Sequence, residues 1–282
     1  MVKKAVLIGI NYKGSADQLN GCINDIRNIN NILVNNCDYK AENIKILTEE
    51  HPISPTKKNM EDNINWLVKD IKAGDSLVFY FSGHGSNITD RTGDESDGKD
   101  EVLVPLDYKT SGIISDDWLY NNMVIKVPTN VTLWAFTDCC HSGTMIDLKY
   151  NYKSQCALRA GQIRRGMRYN SSEWTDRFTF SMEKTNDILG NVYLFSGCQD
   201  QETSADATIN RLPQGAFTFC LTEFIKENLQ KMPDNSFKFK NGTVKLRNLL
   251  KEINCRLDIS GFGQNSQLSI CKINDFERTF DL

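Results

Sequence analysis

Apolar positions recur along the chain with two different periods, and the alternation predicts strands separated by helices. Lys3-Lys4-Ala5-Val6-Leu7-Ile8-Gly9-Ile10 reads as a first strand, followed by a polar, glycine-containing loop from Asn11 to Gly21. Cys22 to Val34 then places Ile26, Ile29 and Leu33 at helical spacing, with Cys22 and Asp25 one turn earlier on the same face. Asn43-Ile44-Lys45-Ile46-Leu47 alternates as a second strand. Ser54-Pro55 reads as an N-cap and first helical position, opening a helix with Met60, Ile64, Leu67 and Ile71 on one stripe and Gly74 at its end. Asp75 to Phe81 is a third strand. Strand–helix–strand–helix–strand is the arrangement of a parallel sheet with crossover helices.

The remainder is less regular. Asn87 to Glu101 is a polar, acid-rich loop, Val102-Leu103-Val104 a short strand, and Ile113 to Leu119 a helix start capped by Ser115 or Asp116. Val131-Thr132-Leu133-Trp134-Ala135-Phe136 is rich in β-branched and aromatic residues and reads as a buried strand. From Leu148 to about Lys184 neither period is sustained and basic residues dominate, so an exposed linker is expected there. Asn191 to Ser196 is a strand, helices are expected from about Gly215 to Asn228 and from about Thr243 to Leu257, and Leu268 to Cys271 is the last strand. The expected class is α/β, with a single, mostly parallel central sheet of six or slightly more strands flanked by helices.

Composition narrows the function. A net charge of −3 gives no basic surplus for phosphate binding, so a nucleic-acid partner is not expected. No apolar run approaches the roughly 20 residues of a membrane span, and no signal-peptide layout follows the N-terminus, so a cytoplasmic protein is expected. Nine cysteines without CxxC spacing argue against a disulfide framework or a structural zinc site.

Chemistry concentrates at two strand ends. One strand runs into Ser82-Gly83-His84-Gly85 and another into Asp138-Cys139-Cys140-His141-Ser142-Gly143. Ligands of open α/β sheets bind at the carboxyl ends of strands. A thiol needs a neighbouring base to become a nucleophile. His141 is adjacent to the thiols, and a next-door side chain is expected to point away, which makes His84, 56 positions before Cys140, the better base. Backbone N–H groups of Gly85 and Cys140 are candidate oxyanion donors. Adjacent strand residues face opposite ways, so one thiol alone faces the cleft, and periodicity does not say which.

These motifs, together with Gly21-Cys22-Ile23-Asn24-Asp25, Asp100-Glu101, Ile114-Ser115-Asp116-Asp117 and Ser196-Gly197-Cys198 through Asp206, resemble the metacaspases, cysteine peptidases of the caspase-like clan. The resemblance implies a caspase-like peptidase domain over 1–282, with a p20-like part at 1–147, a linker at 148–189 and a p10-like part at 190–282. It resembles the type I core without a Pro/Gln-rich or zinc-finger prodomain. It implies Cys140 as nucleophile and His84 as base, and cleavage after Arg or Lys. Asp25 and Asp138 are then expected to supply two carboxylates to a pocket for a guanidinium or ammonium, lined also by Cys22 and Ser82. Calcium is the implied cofactor, its acids being Asp100, Asp116, Asp117 and Asp147, which lack EF-hand spacing. Self-cleavage in the basic segment is expected at Arg164, Arg165, Arg168 or Lys153. The expected partners are protein or peptide substrates with Arg or Lys at the cleaved position, met by a monomer. The alternative is an inactive caspase-like scaffold protein. Gln264 to Ser269 departs from the family, which often has proline before the glutamine.

Overall fold

The computed structural model describes residues 1–89, 99–139, 145–156, 174–180, 188–198, 206–209, 212–232, 237–240 and 242–282. The first half comprises β1 (Lys3–Gly9), α1 (Cys22–Asn36), β2 (Ile44–Leu47), α2 (Lys57–Leu67) and β3 (Ser76–Ser82), then β4 (Gly85–Thr89), β5 (Lys99–Leu103), α3 (Tyr108–Ser111), β6 (Ile114–Ser115), α4 (Asp116–Asn122) and β7 (Thr132–Asp138). After these come β8 (Tyr150–Cys156), β9 (Trp174–Phe180), β10 (Asn191–Ser196), β11 (Asp206–Ile209), β12 (Leu212–Gly215) and α5 (Ala216–Asn228). The chain closes with β13 (Leu229–Lys231), β14 (Phe237–Phe239), α6 (Leu246–Ile259) and β15 (Gln267–Ile270).

Eight strands form the central sheet in the order β2-β1-β3-β7-β10-β15-β8-β9. The first five run parallel, whereas β15, β8 and β9 add on antiparallel. The sheet is thus larger than six strands, and the reason lies in the segment expected to be a linker. Tyr150–Cys156 and Trp174–Phe180 are strands, the outermost of them exposed along Thr175 to Thr179. An edge strand needs little apolar patterning because its ladder hydrogen bonds hold it, so hydropathy does not reveal it.

Strand alternation divides the core into two layers. Leu7, Val78, Tyr80, Trp134, Phe136, Tyr193 and Phe195 face α1, α5 and α6 on one side. Ile8, Leu77, Phe79, Phe81, Leu133, Ala135 and Leu194 face α2 and α4 on the other. With both faces covered, the central strands read as near-continuous apolar runs. Two helix starts are decided by caps. Thr56, not Ser54, caps α2 by accepting the Asn59 N–H, which leaves Pro55 before the helix and not at its first position. Ser115 caps α4 by accepting the Trp118 N–H at 3.2 Å. The polar stretch from Asn87 is partly ordered pairing, with β4 and β5 forming an antiparallel hairpin. No disulfide joins the described cysteines. Among the described residues no helix is long and apolar enough to cross a membrane.

Registry aligns the strand ends. Gly9 pairs with Ser82, and Ser82 pairs with Asp138. The sequence immediately beyond Ser82 and Asp138 holds His84 and Cys140, so two neighbouring parallel strands deliver both motifs to one sheet edge.

Candidate active site

Cys140 lies outside the described residues; the described part of the site is what surrounds the two strand ends. His84 follows β3 and is half-buried. Its Nε2 lies 2.7 Å from the carbonyl oxygen of Asp17. A carbonyl oxygen only accepts, so Nε2 carries the proton and the Nδ1 lone pair is left as the basic atom. The Tyr12 ring packs on the imidazole with centroids 4.7 Å apart and a 37° tilt. Asp17 is itself held: Tyr108 donates its hydroxyl to the Asp17 carboxylate at 2.9 Å, and the Asp17 N–H donates to Ser15 Oγ at 3.1 Å. The His84 imidazole is thus oriented by a backbone carbonyl. Gly85 is half-buried and opens β4, opposite Leu103.

Alternation puts Ser82 and Asp138 on the α1 and α5 side of the sheet and Cys139 on the other, among the buried residues that include Phe79, Phe81 and Met145. Asp25 and Asp138 are both buried. Asp25 accepts the Gly215 N–H at 2.9 and 3.1 Å through its two oxygens, and Ser82 Oγ donates to its Oδ2 at 2.9 Å. Asp138 Oδ2 accepts the Thr218 N–H at 2.9 Å and the Thr218 hydroxyl at 2.6 Å. Gly215 and Thr218 flank the first turn of α5, so the two carboxylates meet the positive end of that helix. Both acids converge on Gly215. A Cβ there would fall 2.1 Å from Asp138 Oδ2 and 2.9 Å from Asp25 Oδ2, so any other residue would displace the carboxylates. Cys22 is buried at the start of α1 and donates its N–H to Asn11 Oδ1 at 3.0 Å.

Tyr80 extends this network. Its buried hydroxyl bonds to Thr218 Oγ1 at 2.5 Å, and because Thr218 donates to Asp138, Tyr80 is the donor. Burial and the nearby Asp25 and Asp138 push the Tyr80 phenol well above its ordinary pKa, so it keeps the proton it donates. Gly215, Thr218, Tyr80 and Asp17 are not among the site residues expected from the sequence. Asp17 acts through its backbone, which carries no residue-type signal, and Thr218 is an unremarkable helix residue until the fold brings it to Asp138.

A second acidic group forms around β5 and α4. Asp100, Asp116 and Asp117 each offer a carboxylate oxygen, all within 4.8 Å of one another, with Asp100 and Asp116 buried. Asp116 Oδ2 accepts the Glu101 N–H at 2.7 Å, and its Oδ1 accepts the Asp117 N–H at 2.6 Å. Burial, then the charges of Asp147 and Glu101, push the Asp116 carboxyl up to about 8 against the pull of those two N–H donors. Asp147 is therefore close enough to act on Asp116, although it is not among the three grouped acids. Its φ of 49° places it in the left-handed region at the turn after 140–144. Crowded oxygens of this kind are the donor set of a hard divalent cation. Of the expected self-cleavage positions, Lys153 lies inside β8, paired with Gln267 on one side and Arg177 on the other; Arg164, Arg165 and Arg168 lie outside the described residues.

Comparison with known proteins identifies the family and the fold. A family model described as metacaspase, peptidase C14 domain, matches residues 3–149. The chain is 39% identical over 258 residues to Metacaspase-1B of Neurospora crassa, covering 81% of this chain and 60% of that protein. It is 38% identical to Metacaspase-1 of Coccidioides immitis, with 81% and 56% covered, and 37% identical to Metacaspase-1 of Ajellomyces capsulatus, with 81% and 72% covered. The chain thus spans less than two thirds of the length of the first two. Among solved structures, protein GSU0716 from Geobacter sulfurreducens superimposes with a TM-score of 0.64 at 22% identity, covering 99% of this chain and 97% of that one. Caspase-1 from Spodoptera frugiperda gives 0.54 at 11% identity, with 95% and 85% covered. At these identities the structural likeness concerns the fold.

Proposed function

The chain belongs to the metacaspase family, and on that premise we propose that it is a calcium-activated cysteine endopeptidase that cleaves after Arg or Lys. The observation that carries the specificity is the convergence of Asp25 and Asp138 on Gly215, beside the strand end that leads to the catalytic thiol. Two buried carboxylates at one point complement a guanidinium through paired hydrogen bonds, or an ammonium as a point charge. An aspartate side chain would meet like charge there.

The residues act as follows. Nδ1 of His84 takes the Cys140 thiol proton, while the Asp17 carbonyl holds Nε2–H and stabilises the imidazolium that forms. The thiolate attacks the carbonyl carbon after the basic residue, and the negative oxygen is received by the N–H groups of Gly85 and Cys140. Imidazolium returns its proton to the leaving amine, and a thioester remains on Cys140. Water, deprotonated by the same imidazole, then releases the acid and restores the thiol.

Asp100, Asp116 and Asp117 would hold calcium, with Asp147 adjacent; burial first, and then the charges of Asp147 and Glu101, raise the Asp116 pKa, and a divalent cation would relieve the charge part of that cost. Calcium there would supply positive charge beside Asp147, seven positions after Cys140 in the sequence. Self-processing is proposed at Arg164, Arg165 or Arg168. A monomer suffices for this chemistry, since dyad and pocket come from one chain. Hydrolysis of fluorogenic peptides, compared with and without calcium and with Cys140→Ala as control, tests the proposal. Calcium-dependent release from Arg and Lys peptides by the wild type alone supports it; no release under any condition favours a binding or scaffold protein instead.

A further inference from the structure

We propose that Tyr12 is a positioning residue for His84, fixing the tautomer and direction of the imidazole through its hydroxyl and its ring. This rests on the reading of His84 as the catalytic base.

Tyr12 touches His84 in two independent ways. Its hydroxyl oxygen accepts the His84 backbone N–H at 3.0 Å, and its ring lies against the imidazole. The same hydroxyl donates to the Val104 carbonyl at 2.6 Å. Val104 in turn donates its N–H to the His84 carbonyl at 3.1 Å, which closes a ring of bonds around the residue. One buried hydroxyl therefore satisfies a donor and an acceptor at the point where β3 gives way to β4.

The surrounding chain is shaped to keep Tyr12 there. Tyr12 has a φ of 49°, a conformation uncommon for a bulky residue. The turn that follows is closed by the Ser15 N–H and hydroxyl on the Tyr12 carbonyl, at 3.1 and 2.8 Å. Ser15 Oγ then receives the Asp17 N–H, so the turn that holds the ring against the imidazole also presents the Asp17 carbonyl to Nε2. Gly83 leaves room for this packing, because a Cβ there would meet Tyr12 Oη at 3.1 Å and Phe81 Cζ at 2.8 Å. Glu49 pins the same loop by accepting the N–H groups of Asn11 and Lys13, at 2.6 and 2.8 Å. Burial also drives the Tyr12 phenol far above its ordinary range, so it remains a neutral donor at any pH at which the enzyme works.

Without the hydroxyl the His84 N–H and the Val104 carbonyl lose their partner, and the segment that aims the imidazole is released. An imidazole less well held by the Asp17 carbonyl presents Nδ1 less steadily to the Cys140 thiol, so proton transfer to it slows. Substrate contacts at Asp25 and Asp138 are untouched.

Tyr12→Phe keeps the ring and removes the bonds. In hydrolysis of an Arg peptide its kcat should fall about tenfold, a part of the 10²–10⁴ that a positioned base contributes, with KM within about twofold of wild type. Iodoacetamide alkylation of Cys140 at neutral pH should slow in parallel, a change that a purely structural role would not produce in a folded variant. Independently, ¹⁵N-histidine NMR of the Cys140→Ala protein above the histidine titration, with His84→Ala for assignment, should show His84 as the Nε2–H tautomer, and as a mixture of tautomers once Tyr12→Phe is added. Wild-type kcat and alkylation in Tyr12→Phe would overturn the proposal. So would an Nδ1–H tautomer with Tyr12 intact, a result that needs no Tyr12 variant to fold. Full activity in His84→Ala would refute the base assignment itself.

Discussion

Thr218 donates both its backbone N–H and its hydroxyl to one oxygen of Asp138, at 2.9 and 2.6 Å, across 80 positions of sequence. The start of α5 is thereby tied to the end of β7, so the first half of the chain and the second meet at one buried acidic group. Thr218→Val removes the hydroxyl and keeps the shape. Charge-assisted hydrogen bonds are worth about 1.5–3 kcal/mol, so kcat/KM for Arg peptides should fall about 10- to 100-fold, with smaller effects on alkylation of Cys140. Equal losses in both measurements would place Thr218 outside the pocket's chemistry.

Gly215 is the position where the pocket tolerates least. Gly215→Ala forces a methyl into the Asp138 and Asp25 carboxylates, and overpacking of this kind costs about 1–3 kcal/mol of stability. Thermal unfolding should show that loss, and turnover of Arg and Lys peptides should drop more than stability alone explains at a temperature where the variant is folded. Wild-type turnover in Gly215→Ala would contradict the placement of both acids.

Calcium should act through the β5–α4 acids. A cation that binds only the folded chain raises stability by about 2.7 kcal/mol at one hundred times its dissociation constant. Saturating calcium should therefore raise the Tm of the wild type, and Asp116→Asn should abolish most of the rise. An equal rise in both proteins would move the cation elsewhere.

Self-cleavage should avoid Lys153. That residue is paired on both edges within the sheet, whereas proteolysis requires an extended segment that can leave its neighbours. Mass spectrometry of wild-type fragments, with Cys140→Ala as control, should find ends after Arg164, Arg165 or Arg168. Fragments ending at Lys153 under native conditions would show that β8 opens readily.

Asp176 on β9 gives the edge of the sheet a pH dependence. Burial raises its pKa, but hydrogen bonds from Lys251 at 2.9 Å and Ser154 at 2.7 Å prevail and hold the carboxyl below its usual range. A depressed pKa contributes stability that is complete above the unfolded value, about 3.9, and lost as pH falls through the folded one. Asp176→Asn should therefore be less stable than the wild type above about pH 5, and the difference should shrink in more acidic solution. The group is largely exposed, so the effect should be small and weaken with salt. A difference that persists unchanged at low pH would exclude the carboxylate as its cause.

The central strands were legible in the sequence because both of their faces are buried, which gives Leu77 to Phe81 and Leu133 to Phe136 their apolar runs. The antiparallel edge was not. In Tyr150–Cys156 and Trp174–Phe180, Tyr150, Tyr152 and Phe178 are interspersed with polar and charged residues, and what makes them strands is a ladder from β15 to β8 and from β8 to β9, whose partners hydropathy does not name. Residue type and placement at a strand end pointed to His84, and the family resemblance pointed to Asp25 and Asp138 as candidates. The Asp17 carbonyl, the Gly215 gap and the Tyr12 hydroxyl were not legible, because each acts through backbone, empty space or tertiary position. Ser115 rather than Asp116 as helix cap was likewise a matter of geometry, and it leaves the Asp116 carboxylate to the acidic group.

The most direct measurement compares kcat/KM for two peptides that differ only at the cleaved residue, one with arginine and one with citrulline, its neutral isostere. Truncating one partner of a buried charge pair costs about 2–5 kcal/mol. The wild type with calcium should therefore prefer arginine by about 30-fold or more, and Asp138→Asn should lose most of that preference. Equal cleavage of both peptides by the wild type, or an undiminished preference in Asp138→Asn, would contradict the carboxylate pocket on which the account rests.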